Sequence, residues 1–122
     1  MKVDTSRTGL EVFYPKYVAQ LLKHIWTRTA KNPEFELVTR EAFDYLQDHE
    51  DEEVHVSRAS VIINMDALVE DGVLKVRQTT GKGGYHGVYS AALSPGEFQK
   101  KVYDHVETTL FEVFKNTEGW YR

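Results

Sequence analysis

The chain contains no cysteine. That removes disulfides, thiol nucleophiles and thiolate metal sites together, so stability has to come from packing or association, and the redox compartment is left undetermined. Proline is scarce, at three residues in 122, and each one marks an element boundary. No apolar run approaches the roughly 18 residues needed to cross a bilayer. Residues 1–10 are polar and lack the apolar middle of a signal peptide, so the expectation is a cytoplasmic protein with no membrane partner. A surplus of positive charge is also missing: 15 Lys and Arg against 19 Asp and Glu give −4, and no global field announces a nucleic-acid partner. What remains is 122 residues with 41% hydrophobic and 28% charged side chains. That predicts a modest core, too small for a barrel enzyme or a two-domain catalyst.

The charge is unevenly spread. Residues 1–33 carry +4, residues 34–53 carry −8, residues 54–90 carry +1 and residues 91–122 carry −1. Most of the deficit is the run Asp48, Glu50, Asp51, Glu52, Glu53, which repels itself and reads as a solvated turn. The rest of the chain is slightly basic.

No fixed-period repeat is present, so hydrophobic periodicity carries the reading. Val18, Leu21, Leu22 and Ile25, flanked by Trp26, form one stripe after Pro15 and predict a helix over 15–30, ended by Lys31, Asn32 and Pro33. Phe35 and Leu37 alternate with Glu34 and Glu36, the period of a short strand. Thr39 can cap a short helix with Ala42, Phe43 and Leu46 on its core side, stopped near Asp48. Val54 and Val56 lead into Ser57, an N-cap for a helix to Asp71 whose stripe is Val61, Met65 and Leu68, with Gly72 as its left-handed stop. Ala59, Ser60 and Ile63 then fall on the far side, with Asn64 nearer the boundary.

Residues 73–78 and 85–91 read as a β-hairpin around the glycine-rich turn 79–84. Ser94, Pro95, Gly96 and Glu97 form a capping box that opens a helix to about Asn116. Its stripe is Phe98, Val102, Val106, Leu110 and Val113 with Phe114, widened by Tyr103 and Phe111. So much apolar surface on one helix exceeds what a small domain covers and predicts a homodimer interface at Phe98, Val102, Tyr103, Val106, Leu110, Phe111 and Phe114.

The order helix, short strand, helix, capped helix, hairpin, long helix is a mainly α winged helix-turn-helix arrangement with a C-terminal helix. Ser57 to Leu74 resembles the recognition-helix signature of MarR-like and penicillinase-repressor-like regulators, and Thr80 to Tyr89 is similar to the wings of small archaeal-type regulators of that group. The likeness spans residues 15–93, with 1–14 as an N-terminal arm and 94–122 as a dimerisation helix. It implies a sequence-specific, double-stranded-DNA-binding transcriptional regulator, a repressor acting as a homodimer without cofactor or enzymatic activity.

The helix after Ser57 would enter the major groove and the hairpin would follow the backbone or minor groove. Ser57, Arg58 and Ser60 would meet base edges and phosphates, Asn64 would follow, and Ile63 would meet a thymine methyl. Arg77, Lys82, Tyr85 and His86 would act from the wing. The acidic run lies close to where phosphates pass and is expected to point away. Familiar penicillinase repressors carry a longer C-terminal domain and are inactivated by cleavage, a property the resemblance does not extend to this chain.

Other readings have less to stand on. The glycine-rich turn lacks the Gly-x-x-x-x-Gly-Lys-Ser/Thr spacing of a phosphate loop. His24, His49, His55, His86 and His105 show no short metal-ligand spacing, and the acidic run gives no sign of the burial that catalytic carboxylates need. Phe13, Tyr14 and Tyr17 are core or dimer contacts, or else line a pocket with the last helix for an unknown small-molecule effector. The rival function is a winged-helix protein-interaction module that docks a basic partner through the acidic run and the exposed apolar helix.

Overall fold

Residues 2–48, 56–81 and 84–115 are described by the computed structural model, and the chain divides into two units, Met1–Ala92 and Leu93–Arg122. In the first unit a 3-10 turn at Gly9–Val12 precedes α1 (Lys16–Lys31). Pro15 is the N-cap of α1, one position before the first turn expected for it, and its carbonyl accepts from the Ala19 N–H at 3.0 Å. The predicted stripe of Val18, Leu21, Leu22 and Ile25 is at most 2% exposed.

Strand β1 is only Leu37–Val38, shorter than the alternation of Phe35 and Leu37 suggests. Asn32 accounts for the difference. Its carbonyl accepts from Phe35 N–H at 2.9 Å and its side-chain oxygen accepts from Glu34 N–H at 3.1 Å, which folds these residues into a turn. The Phe35 ring then meets His24 edge-on at 6.1 Å and lies under the Arg28 guanidinium at 5.4 Å.

Helix α2 (Thr39–Asp48) follows at once, with Glu41 accepting from Val38 N–H at 3.0 Å. Residues 49–55, which include Val54 and most of the acidic run, lie outside the described residues. Helix α3 (Arg58–Glu70) is capped by Ser57 and buries Val61, Met65 and Leu68, as its period predicts. The chain leaves α3 through Asp71 and Gly72, and Gly72 at φ 76° takes the left-handed conformation that glycine adopts without cost.

Strands β2 (Leu74–Gly81) and β3 (Gly84–Ala91) form the hairpin, in register from Leu74↔Ala91 to Gly81↔Gly84. Thr79 to Gly81 belong to β2, although the glycines suggest a turn. They complete the ladder opposite Tyr85 and His86, and β-branched threonines suit a pleated surface. β1 pairs with β3, so the sheet order is β1-β3-β2. The core of this unit gathers the α1 stripe, Leu37, Ala42, Leu46, the α3 stripe, Val73, Leu74, Val88 and Tyr89, with no buried charged or polar residue among the described ones.

The second unit holds α4 (Pro95–Phe114). Its capping box is complete: Ser94 Oγ accepts from Glu97 N–H at 3.1 Å, and the Glu97 carboxylate accepts from Ser94 N–H at 3.0 Å. Asn116 lies outside the described residues. No described helix is long and apolar enough to cross a membrane. Among the described residues, four α-helices with one small antiparallel sheet make a mainly α winged-helix fold.

Substitutions on opposite sides of α3 should separate cleanly. Met65 is 0% exposed and Ile63 is 66% exposed. Met65→Ala is expected to cost about 2–5 kcal/mol in urea unfolding, against about 0.5 kcal/mol or less for Ile63→Ala.

Candidate nucleic-acid interface

Helix α3 is apolar on both faces. Val61, Met65 and Leu68 point inward, while Ala59, Ile62 and Ile63 stand three and four residues apart on the exposed side. Ile62 is 42% exposed and Ile63 66%. Its polar side chains are for the most part engaged within the protein. Ser57 Oγ accepts from Ser60 N–H at 3.1 Å and donates to Ser60 Oγ at 3.0 Å. The Asn64 amide donates to the Tyr17 hydroxyl at 2.5 Å and to the Ser60 carbonyl at 2.8 Å. Asp66 Oδ1 accepts from the Tyr89 hydroxyl at 2.7 Å, and Asp71 Oδ2 accepts from the Tyr14 hydroxyl at 2.9 Å.

Ser57, Arg58, Ser60 and Ile63 thus stand on the first turns of α3, where the sequence puts them. Asn64 does not stand free as a base reader, because its amide fastens α3 to α1. Arg58 is exposed at the first position of the helix, but its guanidinium lies 5.5 Å over the Phe43 ring of α2. It is therefore held toward α2 rather than projecting from α3.

Beside this face runs a groove between the start of α2, α3 and the hairpin, lined by Arg40, Ile62, Thr79, Gly87 and Tyr89. Gly87 makes room for Tyr89: a Cβ at position 87 would stand 3.2 Å from the Tyr89 ring and 3.2 Å from Val76. Arg40 escaped the sequence reading. A basic residue in the first turn of the helix before α3 is the signal that could have found it.

Of the expected wing cations, Arg77 is engaged elsewhere. It makes a two-pronged contact with Glu36, Nε at 2.6 Å and Nη2 at 3.1 Å, and this fork holds the Glu36 carboxyl below its ordinary range. Lys82 and the side chains of Tyr85 and His86 lie outside what the structure describes.

Among the residues expected at a dimer interface, Phe98 is 5% exposed and Val102 is half-buried. Tyr103, Val106, Leu110, Phe111 and Phe114 remain exposed along α4, from 37% at Val106 to 67% at Phe111. The aromatic cluster Phe13, Tyr14 and Tyr17 lines an open cleft with Val3, Arg7 and Val12. Among the described residues no group of three or more His, Cys, Asp or Glu side chains could hold a metal ion.

No protein-family model matches the chain, and no curated protein matches it. Among solved structures it is similar to a possible transcriptional regulator from Methanosarcina mazei Go1, with a TM-score of 0.65 and 15% sequence identity over 89% of this chain and 81% of that one. At that identity the likeness concerns the fold.

The Tyr89 bond has a pH signature. Desolvation, then the hydrogen bond to Asp66, pushes the phenol from 10 up to about 12, opposed by the Thr39 hydroxyl. An unfolded chain releases this proton near 10 and the folded one keeps it. The contribution is therefore complete below pH 10 and lost as the pH climbs through about 12. Tyr89→Phe is expected to cost about 1 kcal/mol near neutral pH and to lessen the loss of stability between pH 10 and 12, measured by denaturant midpoints. An unchanged alkaline loss in the variant would contradict this role for Tyr89.

Proposed function

We propose that the chain is a DNA-binding transcriptional regulator, a repressor acting as a homodimer, of the MarR-like and penicillinase-repressor-like kind that its Ser57 to Leu74 stretch resembles. The observation that carries this reading is the outer face of α3. It is a capped helix whose first turns are exposed, with Arg58 at its first position and Arg40 beside Ile62 in the adjoining groove. A B-DNA major groove, about 12 Å wide, admits one α-helix. Arg40 and Arg58 are suited to phosphates on its rim, and the β2–β3 hairpin to the neighbouring backbone. The winged-helix fold and its likeness to a possible transcriptional regulator support the same reading.

The exposed apolar residues of α4 support the dimer. Leu110, Phe111, Val113 and Phe114 are each about half exposed or more, at 50, 67, 49 and 55%. Covering them with the same helix of a second copy gives a two-fold interface, and such a dimer suits a pseudo-palindromic operator with half-sites about 34 Å apart or a multiple of that.

Two measurements test these claims. In fluorescence anisotropy with a duplex recovered by selection from a random library, Arg40→Ala and Arg58→Ala should each weaken binding and lower the slope of log K against log salt by about 1. A wild-type chain without salt-dependent duplex binding at low ionic strength would defeat the DNA reading and return the protein-interaction module to first place. In sedimentation, a Leu110→Asp, Phe111→Asp double variant is expected to be monomeric at concentrations where the wild type is a dimer. A wild type that is monomeric at micromolar concentration would sink the dimer.

A further inference from the structure

We infer that sequence readout by α3 rests chiefly on the C5-methyl groups of thymine, met by Ile62 and Ile63, rather than on hydrogen bonds to base edges. The inference rests on the DNA-binding reading above and names the kind of duplex that reading requires.

A helix that reads bases through hydrogen bonds needs donors and acceptors projecting outward from its first turns. Ser57 Oγ already accepts and donates within the cap, and its partner Ser60 is half-buried. Both donors of the Asn64 amide nitrogen are taken, by Tyr17 and by the Ser60 carbonyl, so the amide is left with its Oδ1 acceptor and cannot make the donor-and-acceptor pair that reads adenine. The Arg58 guanidinium lies 5.5 Å over the Phe43 ring, a contact that projection into a groove would have to give up. Asp66 is turned toward Tyr89, and its negative charge keeps phosphates away from that end of the face.

Between Arg58 and Met65 the exposed side chains are Ala59, Ile62 and Ile63. In the major groove the apolar feature that distinguishes one base pair from another is the thymine methyl. Ala59 lets the helix backbone come close while the two isoleucines supply the contact area. The charge around the patch favours a polyanion over an apolar partner, because Arg40 lines the groove beside Ile62 and Arg58 is exposed at the start of the same helix. Tyr89, only 4% exposed, adds a ring to the floor of that groove.

The test uses the full chain and the best duplex recovered by selection from a random library. Each thymidine is replaced in turn by deoxyuridine, which removes the methyl and leaves every hydrogen-bonding atom in place. Replacement at one or two positions in each half-site is expected to weaken binding about fourfold per methyl, the effect of one buried carbon group. Elsewhere it should change nothing. Ile63→Ala, which alters an exposed residue and leaves the core intact, should bind with the wild-type salt slope but no longer distinguish thymidine from deoxyuridine at one of those positions.

Wild-type binding with normal salt dependence and no response to deoxyuridine at any position would overturn the inference while leaving the DNA-binding reading standing. No duplex binding at all would overturn both. Loss of the sedimentation dimer on Ile63→Asp would assign the isoleucine face to a second copy of the chain, and it too would overturn the inference.

Discussion

Three tyrosine hydroxyls fix the orientation of α3, and the rest of the molecule is arranged around that helix. Tyr14, just before α1, and Tyr17, in its first turn, bond Asp71 and Asn64, and Tyr89 of β3 bonds Asp66. The need for them follows from composition. With Val61, Met65 and Leu68 on one side and Ala59, Ile62 and Ile63 on the other, burial alone offers little reason to turn either face inward, because the hydrophobic effect is non-directional. Hydrogen bonds are directional, and a part-buried hydroxyl left without its partner loses the compensation for its desolvation. The inverted helix would forfeit all three of these bonds. Desolvation and the neighbouring carboxylates raise the Tyr14 and Tyr89 pKa values, so both phenols stay protonated donors into the alkaline range where a free phenol would ionise.

The sheet serves the same end. Tyr89 reaches Asp66 across the groove that Gly87 leaves open, with Thr39 at the start of α2 also bonded to its hydroxyl. One ring therefore joins the hairpin, α2 and α3. Glu36, just before β1, holds Arg77 on β2 and so ties the strand-edge turn to the hairpin. Both partners of that pair are exposed, so its effect is on the placement of charge more than on stability.

Local patterns in the sequence were enough to place the elements. The stripe Val18, Leu21, Leu22, Ile25, the Ser57 cap, the Gly72 stop and the Ser94–Glu97 capping box each depend on residues within a turn or two of one another. The site was less legible, because its decisive contacts are long-range. Asn64 looks like a free reader until Tyr17, 47 positions away, takes its amide, and Arg77 looks like a wing cation until Glu36, 41 positions away, takes its guanidinium. Nothing periodic encodes such pairs. The strand ends failed for a related reason. Asn32 closes a turn over residues that alternate like a strand, while Thr79 to Gly81 are drawn into the ladder by a partner strand the local sequence does not contain.

The charge balance of −4 also acquires a physical meaning. Non-specific binding to a duplex scales with the phosphates a protein neutralises. On the α2–α3 face the described cations are Arg40 and Arg58, Arg77 being paired with Glu36 and Asp66 adding a negative charge. A protein so equipped would hold arbitrary duplexes weakly. Discrimination would then have to come from contacts that only a matching sequence completes, and on α3 the exposed groups not already engaged within the fold are mainly hydrocarbon. Fixing a helix with two apolar faces thus engages Asn64 with Tyr17 and leaves mainly hydrocarbon on the outer face of residues 59–64.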